Sequence, residues 1–237
     1  MKSVLHKAAT RGHASHGWLD SWHTFSFANY YEPERIHFGA LRVLNDDTVA
    51  PGMGFGKHPH DNMEIISIPL EGSLEHQDTT GTKQVIRQGD VQVMSAGSGI
   101  AHSEKNGSPT APVKFLQIWV FPNQRNVAPR YDQKTFSDAE KQNKLVTVVS
   151  PMNAGDGGVH IYQDAWFSLG NLDKDATVNY EVKKSGNGVY VFLLEGEAVV
   201  NDIVLNRRDG LGISDTDTLS IKATTDAKLL VMDIPMN

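Results

Sequence analysis

The sequence predicts an all-β protein built as two tandem jelly-roll β-barrels, the second degenerate. Three observations predict it. Short β-prone segments recur about every ten residues, separated by glycine, asparagine and aspartate turns. No amphipathic helical pattern lies between them. The pattern of the first half then returns, more loosely, in the second.

The length of 237 residues allows one large β domain or two smaller ones. Hydrophobic content of 39% and charged content of 21% are ordinary for a globular chain. No apolar run approaches the roughly 20 residues needed to cross a bilayer. The start, Met1-Lys2-Ser3-Val4-Leu5-His6-Lys7, lacks the apolar core of a signal peptide, so a cytoplasmic protein is expected. Cysteine is absent, so any metal must be held by nitrogen and oxygen. The net charge of −6, without a lysine/arginine block, disfavours direct contact with nucleic acid or an anionic membrane.

In chain order, the segment Arg11 to Phe27 comes first and is rich in histidine and aromatic residues. It has neither a helical period nor a long alternation, and reads as short strands that pack their rings on a sheet. His13, His16 and His23 could form a metal site, but spacings of three and seven do not match a strand pair. Packing or hydrogen bonding to the backbone is the simpler reading. Phe38 to Asp47 reads as a strand running into a turn. The glycine-rich Pro51 to Gly56 lacks the Gly-Lys-Ser/Thr ending of a phosphate loop. Strands are predicted at 64–70, 74–78, 83–87, 91–94 and 114–121, with turns at Glu71-Gly72, Thr79-Thr80-Gly81 and Gln88-Gly89-Asp90. Residues 123–145 are polar and read as the interdomain connection, with room for one helical turn. The expected domains are 1–130 and 131–237. In the second, Leu194-Glu195-Gly196 repeats Leu70-Glu71-Gly72, and Lys228 to Pro235 repeats Lys114 to Pro122. The second copy carries no His-X-His.

His58-Pro59-His60 and His102-Ser103-Glu104 each set two potential ligands at i and i+2, which face the same way on a strand. Two neighbouring strands would aim three imidazoles and a carboxylate at one point. That set suits a borderline divalent metal: iron, manganese, nickel, copper or zinc. Glu64 shares the parity of His58 and His60 and is a rival for the carboxylate. Up to two positions of a six-coordinate metal would stay open for a substrate oxygen, dioxygen or water. Pro59 cannot donate a ladder hydrogen bond, which places the pair at a strand start or an unpaired stretch near the barrel mouth.

The spacing Gly52, His58, His60, Glu64, Gly72 is the first half of a cupin pattern; Gly89, Gly97, His102 and Asn106 fit the second half. With Arg11-Gly12-His13, His16-Gly17-Trp18-Leu19, His23-Thr24-Phe25-Ser26-Phe27, His76-Gln77-Asp78 and His102-Ser103-Glu104, the stretch from Gly12 to Trp119 resembles the pirin family of bicupins. The resemblance implies metal ligands at His58, His60, His102 and Glu104, with Fe(II) the usual metal and Mn, Ni, Cu, Co or Zn as others. It also implies a quercetinase-like dioxygenase that opens the ring of a flavonol such as quercetin and releases carbon monoxide, with Glu104 as ligand and general base. Phe25, Phe27, Phe38 and Phe55 are candidates, by location alone, to enclose the flat substrate. The family also implies an alternative: an iron-binding, redox-sensitive regulatory protein acting through a protein partner. A monomer is expected, because paired barrels can bury each other's sheet faces.

Overall fold

The computed structural model describes residues 1–236. Asn237, the end of the expected second domain, lies outside the described residues. The first half runs β1 (Lys2–His6), β2 (Gly12–Ser15), β3 (Leu19–His23), β4 (Leu41–Val49), β5 (Gly54–His60), β6 (Glu64–Glu71), β7 (Ser73–Asp78), β8 (Lys83–Arg87), β9 (Asp90–Ser95), β10 (Ile100–Asn106), β11 (Val113–Val120) and β12 (Arg130–Thr135). A helical turn, α1 (Asp138–Lys141), follows, started by a Ser137/Glu140 capping box. The second half runs β13 (Leu145–Pro151), β14 (Val159–Ile161), β15 (Trp166–Leu172), β16 (Thr177–Glu181), β17 (Asn187–Glu195), β18 (Glu197–Val200), β19 (Ile203–Asn206), β20 (Gly210–Ser214), β21 (Thr218–Ala223) and β22 (Ala227–Pro235).

The two halves have the same plan. Each has a seven-stranded sheet, ordered β12-β9-β6-β11-β4-β3-β2 in one and β1-β20-β17-β22-β15-β13-β14 in the other. Each also has a four-stranded sheet, β5-β10-β7-β8 and β16-β21-β18-β19. The repeated Leu-Glu-Gly marks the same tight hairpin twice: Gly72 (φ 78°) and Gly196 (φ 82°) both adopt the left-handed conformation that glycine tolerates. The fold is therefore the all-β tandem barrel expected.

Two strand pairings bear on the expected boundary at 130/131. It falls inside β12, which pairs with β9 and completes the first sheet, Arg130 opposite Ser95. Strand β1 pairs instead with β20 of the second half, Lys2 opposite Ser214. The interdomain connection is thus partly a strand, with only its α1 segment helical.

The two large sheets pack face to face through one core. It joins Ile66, Ile68, Leu116 and Ile118 of the first half to Phe167, Tyr190, Phe192, Leu230 and Met232 of the second. On β6 the even-numbered residues face this interface, while Ile65 and Ser67 face the interior of the first barrel. No helix among the described residues is long and apolar enough to cross a membrane.

Candidate metal centre

Strand β10 lies between β5 and β7, so it sets the site. His102 stands opposite His58 on β5 and opposite Asp78 on β7; Glu104 stands opposite His76. Between His102 and Glu104 the pairing with β5 shifts register, so that Glu104 meets Phe55. This bulge near Gly56 turns His58 into the mouth. β5 is an edge strand, and Pro59 is exposed on it, so its missing N–H breaks no central ladder.

Three imidazoles converge as the spacing predicts. One potential ligand atom from each of His58, His60 and His102 lies within 4.8 Å of the other two. Glu104 belongs to a second such group, with His76 and His102. His102 is therefore common to both. The outer trio is half open, since His58 and His60 are only partly buried, while His76, His102 and Glu104 are each at most 2% exposed. His76 was not among the expected ligands, although His76-Gln77-Asp78 carries the same i, i+2 spacing used for the other pairs.

The donors are held in metal-binding states. The Gly56 carbonyl accepts a 2.7 Å hydrogen bond from His58 Nδ1, which leaves Nε2 free. Burial, aided by His58, lowers the His60 pKa to about 4. Burial and the neighbouring His58, His60 and His76 lower that of His102 to about 3. Both rings are neutral donors near pH 7. Burial raises the Glu104 pKa, opposed by the 2.9 Å hydrogen bond that Ser67 Oγ donates to Oε1. His102 Nδ1 is buried without a hydrogen-bond partner.

Glu64 lies elsewhere. The turn at Asp61-Asn62, with Asn62 at φ 44°, separates β5 from β6 and resets the strand parity. Glu64 consequently faces the interdomain core, where it accepts from Ser95 Oγ at 2.7 Å and from the Tyr162 backbone N–H. Burial raises its pKa to about 7 despite those bonds.

The four phenylalanines separate. Phe25 and Phe38 are packed against Tyr190 in the interdomain core, with ring centroids 5.6 and 5.4 Å away. Phe38 lies so close to Gly188 and Gly212 that a Cβ on either would meet its ring within 3.0 Å. That packing removes both as substrate contacts. Phe27 and Phe55 remain near the centre. Phe27 stands edge-on to Trp119 at 5.4 Å, and Trp119 stands edge-on to His60 at 5.0 Å. Phe55 packs on Trp18 in a cluster below Glu104. His13 stacks on Trp22 at 4.1 Å and contacts Asp20, and His23 contacts Ser21 Oγ; neither belongs to a potential metal group among the described residues.

Comparison with known proteins agrees with this architecture. Residues 4–120 match the family described as Pirin, and residues 147–234 match the one described as Quercetinase C-terminal cupin domain. Quercetin 2,3-dioxygenase of Escherichia coli strain K12 is 45% identical over 231 residues, covering 98% of each protein. A pirin-like protein of Caulobacter vibrioides is 42% identical over 222 residues, covering 94% of this chain and 95% of that protein. The crystal structure of the bacterial pirin YhhW from Escherichia coli in complex with nickel(II) is similar with a TM-score of 0.93 at 43% identity, covering 99% of each chain. Sequence, architecture and relatives agree: the chain belongs to the pirin family.

Proposed function

We propose that the chain is a metal-dependent dioxygenase that opens the ring of a flavonol such as quercetin with dioxygen and releases carbon monoxide. The observation that carries this reading is the convergence of three imidazoles at a half-open barrel mouth, with a buried carboxylate beside them. The relatives named quercetin 2,3-dioxygenase support it. Imidazoles and a carboxylate, with no sulfur, fit a borderline or hard divalent ion. His58, His60, His102 and Glu104 would hold it. When bound, such an ion supplies Lewis-acid activation of the substrate oxygen and a path for electrons to dioxygen.

The side chains then divide the remaining work. Glu104 takes the proton of the flavonol 3-hydroxyl on one carboxylate oxygen while Ser67 holds the other. Burial makes that carboxylate a stronger base than an exposed one. Trp119, backed by Phe27, gives the mouth an apolar wall beside His60, against which a flat ring can lie. An open depression lined by Pro59, Asp61, Thr79 and Ser98 to Ala101 borders His60.

The test is oxygen uptake, loss of the flavonol absorbance band and carbon monoxide release when quercetin is mixed with protein loaded with iron, manganese, nickel, cobalt or copper. Turnover should require the metal. Absence of turnover with every metal would overturn the enzymatic reading.

A further inference from the structure

We propose that His76 binds the metal through Nδ1, in an inner seat formed with His102 and Glu104, next to the outer seat of His58, His60 and His102. The inference rests on the metal-centre reading and adds to it a ligand and a second position. His76 lies one level deeper in the barrel than His58: it stands opposite Glu104, whereas His58 stands opposite His102. Its ring has a defined role for each nitrogen. Asp78 Oδ2 accepts from Nε2 at 3.0 Å, and both side chains are fully shielded from solvent. Thr80 holds the other Asp78 oxygen through its hydroxyl and backbone N–H, at 2.6 and 2.8 Å. A carboxylate accepting at Nε2 puts the proton there and leaves the Nδ1 lone pair free. That Nδ1 is buried, and among the described residues neither it nor His102 Nδ1 has a hydrogen-bond partner. Buried polar atoms are normally paired, so two adjacent orphans point to an absent partner. Tyr131 lies against His76 with ring centroids 4.8 Å apart and planes tilted by 39°, which limits rotation of the imidazole.

Charge favours the same assignment. A divalent ion in the inner seat would meet one carboxylate directly, Glu104, and a second, Asp78, through His76. The outer trio of imidazoles brings no charge of its own, and Glu104, the carboxylate of the four-ligand set, is grouped with His76 and His102. Two negative charges close to a buried dication offset its desolvation, which imidazoles alone do less well. The outer seat, half exposed, is suited to receive an ion; the inner, closed seat is suited to retain one. Because His102 serves both, one ion occupies them at a time.

Nickel(II) binding by chelator competition tests this without reference to turnover, with near-ultraviolet circular dichroism to confirm folding. The double variant H58A/H60A should still bind one equivalent of nickel, more weakly than the natural chain. Adding H76Q to it should lower the remaining affinity at least about 10-fold. Folded H58A/H60A that binds no nickel, or that binds equally well with and without H76Q, would overturn the proposal. If the double variant does not fold, anomalous scattering from a nickel-loaded crystal of the natural chain decides. A nickel position within about 2.1 Å of His76 Nδ1 supports the inner seat, and nickel density confined to the outer trio rejects it. Failure of the natural chain to bind nickel, manganese or iron would reject the metal-centre reading itself, a different result from a loss confined to variants at His76.

Discussion

The two barrels share one frame and have opposite interiors. Strand registers make the comparison residue by residue. His102 pairs with His58 in the first barrel, and Leu219 pairs with Tyr180 at the equivalent place in the second. Glu104 pairs with His76 where Ile221 pairs with Val200. Deeper in, Ser67 pairs with Gln92 and Gln117, where Val191 pairs with Leu211 and Val231. The second barrel is therefore a closed aliphatic core, and Val191, Val200, Leu211, Leu219, Ile221 and Val231 all belong to one buried cluster. Its mouth is plugged by Tyr180, which donates a 3.0 Å hydrogen bond to buried Asp233. In the first barrel Trp119 occupies the position of Asp233 and leaves the mouth to His60. The first interior also contains buried polar atoms without protein partners, on Asn45, Gln92, His76 and His102. Such atoms cost stability unless something else meets them. The difference teaches that the β frame is indifferent to the site. A handful of inward side chains converts a structural core into a reactive one, and the filled barrel supplies stability that the polar one lacks.

That comparison can be broken by exchanging contents. Ile221→Glu places the equivalent of Glu104 in the aliphatic barrel without ligands or Ser67. It should destabilise the protein by about 3–5 kcal/mol, read as a lowered urea midpoint; a cost below about 1 kcal/mol would show that the second barrel is not the dry core described. His102→Ala removes the group common to both potential metal groups. It should reduce metal affinity and flavonol turnover by about 100-fold or more with the fold intact, as measured by metal analysis and oxygen uptake. Equal metal content in the variant would contradict the site.

The smallest effect is a pH dependence confined to the first half. Glu64 has a pKa raised from 4.5 to about 7 by burial, and the equivalent position in the second half is Gly188. A carboxyl raised on folding contributes stability that is fully present below its unfolded pKa and is lost as pH rises through the folded one. The chain should thus lose stability between about pH 5 and 8 relative to Glu64→Gln, which accepts the same two hydrogen bonds uncharged. The variant should be more stable at pH 8 by about 1–3 kcal/mol and nearly equal at pH 5. Parallel unfolding curves at both pH values would remove Glu64 as the cause.

The parts of this design that a sequence displays are local ones. The i, i+2 spacing put His58 with His60 and His102 with Glu104 on common faces, and the repeated Leu-Glu-Gly announced both hairpins. Glu64 misled because parity carries only along an unbroken strand, and the left-handed Asn62 ends one. His76 carried the same signal as the accepted ligands, but its role depends on which strand lies beside β10, which spacing does not encode. Phe25 and Phe38 were assigned by nearness in sequence to the site; they pack across the domain interface, where tertiary contacts decide. The partner of β1 was invisible for a similar reason, since Lys2 and Ser214 stand at opposite ends of the chain.

The exchange of edge strands has a consequence for the order in which the molecule can be finished as it is made. Strand β12 emerges from the ribosome soon after β9 and can complete the first sheet while synthesis continues. Strand β1 precedes all of these strands, yet its partner β20 follows far along the chain. Closing so long a loop is entropically costly and slow. Strand β1 must wait, unpaired, until β20 has been made. His6, whose Nδ1 meets the Tyr190 hydroxyl at 2.8 Å, and Lys7 and Ala8, both bound to Asp209, then fasten it down. Strand β1 can dock only once β20 exists, and it ties the start of the first half to the sheet of the second.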